Sequence, residues 1–137
     1  MSLVKWLVLP ALVLGVSGGA AAYAFGGSSL RSPVAYALVD PNGGSPRVIA
    51  EHTAGFTGVS VGGAGQGDYC LTPAPGVDVV HTAAVASEEA NYSNAAGFVT
   101  VRYQPDTPNC TSGQLEVKTF DQTVALSNQI AFTVNVP

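Results

Sequence analysis

Charged side chains are scarce in this sequence: Asp, Glu, Lys and Arg make up 10% of its 137 residues, against about 25% in an ordinary globular protein. All nine carboxylates lie after residue 24, and the few basic residues form no cluster. An acidic chain without a basic patch argues against nucleic acid or an anionic lipid surface as the partner. Because 47% of the residues are hydrophobic, the chain has enough apolar surface to fold.

Cysteine and tryptophan are also rare. The two cysteines, Cys70 and Cys110, do not have the C-x-x-C spacing typical of a redox pair. An even number of cysteines in a small exported domain indicates a disulfide, and two cysteines allow only one pairing. The single tryptophan, Trp6, does not lie between them, so the Cys…Trp…Cys core of an immunoglobulin domain is missing. We predict a Cys70–Cys110 disulfide rather than two free thiols.

Apolar residues are most concentrated near the N-terminus. Lys5 precedes the apolar residues 6–16, and a stretch rich in Gly, Ser and Ala follows. This order is typical of a secretory signal peptide, and its A-x-A patterns place cleavage after Ala22 or Ala24. A retained membrane anchor is the alternative, because residues 3–25 approach the roughly 20 residues that span a bilayer. With either reading, the rest of the chain is exported.

The sequence therefore divides into three parts. We expect residues 1–24 to form the signal peptide, or an N-terminal membrane anchor. Residues 25–32 are rich in Gly and Ser and predict a flexible linker. Residues 33–137 provide enough chain for one folded domain, secreted or held at the cell surface.

Short runs with period-2 alternation, separated by turn residues about every ten positions, fill this domain. The predicted strands are residues 34–39, 47–52, 56–61, 69–72, 77–86, 98–104, 115–120 and 130–136. No segment has a helical apolar period. Eight short strands predict an all-β, antiparallel β-sandwich, and we favour a jelly-roll-like over an immunoglobulin-like topology.

Three local patterns give sharper expectations. The sequence Asp-Pro-Asn-Gly-Gly at residues 40–44 predicts a turn, since Pro fixes φ and Asn-Gly accepts positive φ. In the strand at residues 115–120, alternation predicts that Glu116 and Lys118 are exposed. The polar residues 87–96 predict a loop.

Three segments carry a resemblance to a known group. Residues 67–71 (GDYCL), Cys110 ahead of residues 115–121 (LEVKTFD), and residues 132–137 (FTVNVP) resemble small exported β-domains of Gram-positive bacteria. Those domains have a G-x-Y-C strand, a second cysteine ahead of a strand similar to E-V-x-T-F-D, and a terminal apolar strand. The resemblance covers most of residues 34–137 and implies a fold and a compartment. The group is largely uncharacterised, so the resemblance implies no activity.

Residue patterns for catalysis and metal binding are weak. The G-x-S-x-G pattern at residues 58–62 places Ser60 in an alternating strand without a following helix, whereas a nucleophile elbow needs a strand-to-helix turn. His52 and His81 have no ligand spacing and are interpreted as structural strand residues. We expect no catalytic residue, cofactor or metal.

The polar loop is the remaining candidate for function. Asn91, Tyr92 and Asn94 are possible binding residues, because β-sandwich proteins usually present ligand-binding groups on loops. The sequence predicts a non-enzymatic structural or interaction module with an extracellular protein or glycan as its partner. The alternative is a carbohydrate-active or hydrolytic domain, which requires two carboxylates about 5–10 Å apart. Its candidate acids are Glu88, Glu89, Asp106 and Asp121.

Overall fold

Eight β-strands form the regular structure of the chain in the computed structural model, which describes residues 34–102 and 109–137. They are β1 (Ala35–Asp40), β2 (Arg47–Val48), β3 (Phe56–Val61), β4 (Asp68–Pro73), β5 (Val85–Glu89), β6 (Gly97–Arg102), β7 (Leu115–Asp121) and β8 (Ala131–Val136). Two three-residue 3-10 turns, Asn42–Gly44 and Ala50–His52, are the only helical segments in the described ranges. The predicted signal, the predicted linker and Asp106 lie outside the described residues.

The strands form two antiparallel sheets. One sheet has the order β2-β1-β8-β5, and the other has the order β3-β4-β7-β6. Along the sides of the sandwich, β2 lies beside β3 and β5 lies beside β6. The predicted all-β sandwich is confirmed. The preference for a jelly roll stays a prediction, because these strand orders do not confirm it.

The core is built from the inward residues of both sheets, as period-2 alternation requires. Tyr69 of β4 packs against Phe132 of β8 with 5.4 Å between ring centroids, which joins the two sheets. Leu71, Leu115 and Val117 are completely or almost completely buried around this pair. Burial of each such side chain contributes roughly 1.5–3 kcal/mol to folding.

The first and last strands pair along their length, with Ala35 opposite Val136 and Tyr36 opposite Asn135. Since neighbouring side chains alternate between faces, Tyr36 and Asn135 point away from the core. This outer face of the β1–β8 pair is the floor of the site described below.

The predicted turn at residues 40–44 is confirmed. Asn42 and Gly43 both have positive φ, 43° and 64°. The Asp40 carboxylate accepts a hydrogen bond from the Asn42 N–H at 2.9 Å and binds the Arg47 guanidinium at 2.8 Å. The turn thus places β2 against β1.

The predicted strand at residues 77–86 is wrong, because the strand begins only at Val85. The Asp78 carboxylate accepts hydrogen bonds from the backbone N–H groups of Val80 and His81, and the Asp78 carbonyl accepts one from the Thr82 hydroxyl. Such local bonds offer the backbone an alternative to a sheet ladder. The predicted loop at residues 87–96 is shorter than expected, because β5 extends to Glu89.

Candidate binding groove

A groove of about 410 Å³ crosses the outer face of the sheet that contains β1 and β8. Its lining residues come from four separate segments of the chain: Tyr36, Ala37, Leu38, His52, Glu89, Asn91, Tyr92, Thr133, Val134 and Asn135. The volume lies within the range of about 300–1,000 Å³ typical of small-ligand sites.

The first wall of the groove is a protrusion of the chain after β2. The Ile49 N–H donates to the Leu38 carbonyl at 2.9 Å, and Ala54 exchanges two 2.8 Å backbone hydrogen bonds with Tyr36. Between these two anchor points the chain leaves the edge of β1 and forms the 3-10 turn Ala50–His52. This detour brings the His52 side chain to the groove.

The second wall is the loop of residues 90–96. The Glu89 carboxylate accepts hydrogen bonds from the Asn91 side-chain amide at 2.9 Å and from the Tyr92 N–H at 3.0 Å. The Ser93 hydroxyl donates to the Glu89 carbonyl at 2.6 Å and accepts from the Ala131 N–H at 2.9 Å. The loop is therefore fixed both to β5 and to the start of β8.

The predicted binding residues occupy different positions in this loop. Tyr92 and Asn91 line the groove. Asn94 is not among the lining residues; its backbone N–H donates to the Gln129 carbonyl at 2.7 Å and holds the loop in place. Sequence reasoning missed Tyr36 and Asn135, because their strands alternate normally and nothing in either segment indicates that the outer face is concave.

The groove combines aromatic rings with neutral polar groups. Tyr36 is 39% exposed and Tyr92 is 38% exposed, so both rings are held in place and still reach solvent. Asn91 and Asn135 supply side-chain amides. No Lys or Arg is among the lining residues, and the only carboxylate, Glu89, has both oxygens bonded to its own loop.

Of the carboxylates proposed for hydrolysis that the structure describes, only Glu89 lines the groove. Glu88 and Glu89 are adjacent on β5 and point to opposite faces. Glu88 accepts a 3.4 Å hydrogen bond from the Gly97 N–H. Asp121 accepts hydrogen bonds from the Thr123 hydroxyl and from the N–H groups of Ala125 and Thr123, which lower the pKa of Asp121. Within the described ranges, no group of three or more His, Cys, Asp or Glu side chains could hold a metal ion.

The predicted disulfide between Cys70 and Cys110 is confirmed, with 5.5 Å between the two Cα atoms. It fixes the segment around Asn109 onto the outer face of the other sheet. The Asn109 carbonyl accepts from the Gly63 N–H, and the Asn109 side-chain amide donates to Glu116 Oε1, both at 2.9 Å.

This covering segment makes the predicted exposure of Glu116 and Lys118 wrong. Glu116 has no solvent exposure, and Lys118 is only 17% exposed, with its Nζ 3.2 Å from Glu116 Oε1. Asp68 on the neighbouring strand β4 is also fully buried. Asp68 Oδ2 accepts a 3.0 Å hydrogen bond from the Ala64 N–H.

The two buried carboxyl groups interact with each other, and their pKa values shift in opposite directions. Burial raises the pKa of Asp68, and the hydrogen bond to Glu116 and its negative charge raise it further. Burial alone would raise the pKa of Glu116 as well, but hydrogen bonds from Asn109, Lys118 and Asp68 lower it below its ordinary value. Of the two carboxyl groups, Asp68 is therefore the one with the raised pKa.

Comparison with known proteins finds nothing similar: no family model, no curated protein and no solved structure matches this chain. In residues 34–102 and 109–137, no helix has the length and apolar character needed to cross a membrane.

Proposed function

We propose that this chain is a non-enzymatic binding module that works outside the cytoplasm, secreted or held at the cell surface, and that its groove receives an extracellular ligand. The observation that carries the proposal is the groove between His52 and Tyr92. Two half-exposed tyrosines, Tyr36 on β1 and Tyr92 on a loop hydrogen-bonded to β5, are typical of a recognition surface, since aromatic side chains offer large contact area at low entropic cost. The disulfide supports an oxidising compartment.

Export itself depends on residues 1–24. Their signal-like order and the resemblance to exported domains of Gram-positive bacteria support it. The intact mass of protein recovered from culture medium tests this point: cleavage after Ala22 or Ala24 gives a released form. A full-length chain found only in the membrane fraction would instead favour the N-terminal anchor.

The binding role is tested by adsorption of the purified exported protein to intact cells of the producing strain. We expect Tyr92→Ala and Tyr36→Ala each to lower adsorption strongly. Phe98→Ala is the matched control, because Phe98 is 40% exposed but lies on β6 in the opposite sheet. Equal adsorption by the wild type and all three variants would refute the groove as the binding site.

A further inference from the structure

We infer that the groove is a site for a neutral saccharide; this inference rests on the proposed binding function and names its ligand class. The first step is the charge of the lining. No Lys or Arg is among the lining residues, so there is no strong cationic group for a phosphate, sulfate or carboxylate. The Glu89 carboxylate is bonded to Asn91 and Tyr92, which leaves it poorly placed to hold a cation.

The second step is the kind of surface that remains. Sugar rings have apolar C–H faces and a periphery of hydroxyl groups, so a binding site needs flat apolar surface beside neutral donors and acceptors. Tyr36 and Tyr92 provide aromatic faces with a polar tip. Asn91 and Asn135 provide amides that both donate and accept. These four side chains line one groove, although they come from three distant segments.

The third step separates a saccharide from a protein partner. A specific protein interface buries about 800 Å² on each partner and is commonly flat. This site is a concave groove of about 410 Å³, which is the scale of a small ligand. A short segment of a glycan fits that volume, whereas a folded protein surface does not enter it.

The fourth step is preorganisation. Glu89 fixes the Asn91 amide and the Tyr92 backbone by direct hydrogen bonds, and Ser93 fixes the loop to β8. A site that is already ordered loses little conformational entropy when the ligand binds. Glu89 is thus a positioning residue for the two ligand-binding groups of the loop.

The test uses soluble neutral polysaccharides (a β-glucan, a mannan, a galactan, an arabinan) and chito-oligosaccharides as probes, with heparin and polygalacturonate as anionic comparisons. Binding of the purified exported protein is measured by calorimetry at low and high salt. We expect affinity for at least one neutral probe that is insensitive to salt, because no ion pair contributes. Tyr92→Ala should lower that affinity about tenfold or more, and Phe98→Ala should leave it unchanged.

A second variant tests the positioning role. Glu89→Gln keeps an acceptor for the Tyr92 N–H, whereas Glu89→Ala removes both loop hydrogen bonds. We expect Glu89→Ala to weaken saccharide binding more than Glu89→Gln, with both variants folded by circular dichroism.

The outcomes separate this inference from the proposed function. Absence of binding to every neutral probe, or binding only to anionic probes with strong salt dependence, overturns the saccharide assignment. The binding role is judged independently by whether adsorption to cells depends on Tyr92. Saccharide binding that Tyr92→Ala and Tyr36→Ala do not affect would overturn the assignment of the saccharide to this groove, whereas the binding role would still stand or fall with the adsorption result.

Discussion

The Asp68 carboxyl group lies within hydrogen-bonding reach of the Glu116 carboxylate, and neither side chain is exposed to solvent. The pKa of Asp68 is raised above its ordinary 3.8. The protonated Asp68 carboxyl group therefore makes its full contribution to stability below pH 3.8, and this contribution is lost as the pH rises through the pKa of Asp68 in the folded state. Asp68→Asn removes the cost of ionising a buried carboxyl group at neutral pH. The Asn amide can donate to Glu116, and its oxygen can accept from the Ala64 N–H. We expect the variant to be at least as stable as the wild type at pH 7 in urea denaturation.

The pH profile and a second variant provide the control. The free energy of unfolding of the wild type should fall relative to that of Asp68→Asn as the pH rises from about 4 to 7. Glu116→Gln should behave in the opposite way. The pKa of Glu116 is lowered, so its carboxylate contributes to stability above pH 4.5, and this contribution is lost as the pH falls through the pKa of Glu116 in the folded state. This variant should lose about 1–3 kcal/mol at pH 7. An Asp68→Asn variant clearly less stable than the wild type at pH 7 would contradict the raised pKa of Asp68.

Removal of the disulfide should lower stability. Cys70 and Cys110 are 40 residues apart in the sequence, and closing such a loop in the unfolded chain is worth up to about 4 kcal/mol. We expect the double variant Cys70→Ser, Cys110→Ser to unfold at a lower urea concentration, with intact mass and thiol titration confirming the bridge in the wild type. Two free thiols in protein prepared without reductant would contradict the pairing.

Gly67 should not tolerate a side chain. It has φ of 81°, and a Cβ there would collide with the Ser127 backbone nitrogen and the Thr119 carbonyl. We expect Gly67→Ala to cost more than about 4 kcal/mol or to prevent folding. The matched control is Gly65→Ala, where φ is 88° but a Cβ meets nothing within 4 Å, so only the conformational cost of about 1–2 kcal/mol applies. Equal stability of the two variants would contradict the steric reason.

Ser93 should hold the groove loop in place. Ser93→Ala removes a hydrogen bond to the Glu89 carbonyl and one from the Ala131 N–H. We expect faster amide hydrogen exchange at Tyr92 and Ala131, and a loss of about 1–2 kcal/mol in stability. Ser60→Ala, an exposed position on β3, serves as the reference substitution. Unchanged exchange at both amides would show that the hydroxyl does not order the loop.

The alternation of apolar and polar residues predicted which side chains of a strand are buried, where that alternation is regular. In β7, Leu115 and Val117 are buried as expected, because a strand that faces a core must be apolar at every second residue. It failed at Glu116, which lies on the outer face but is covered by the segment around Asn109. That cover depends on the long-range contacts of Asn109 and on the disulfide at Cys110, and neither is encoded in the period of β7.

The candidate groove was predictable only in part. Tyr92 and Asn91 were identified because a polar loop with an aromatic residue is a common binding element. Tyr36 and Asn135 were not, because a groove is a property of the packed surface and appears in no single segment. The error at residues 77–84 has a local cause: the Asp78 carboxylate competes with strand pairing.

The pairing of Ala35 with Val136 places the two ends of the described domain side by side at one end of a sheet. A pulling force applied between these ends would act parallel to the hydrogen bonds between the two strands. The residue pairs would therefore open one after another, and the force would not be shared by all of them at once. The pair of Tyr36 and Asn135 is the second to open. Mechanical tension would therefore disrupt the floor of the groove before it separated the two sheets.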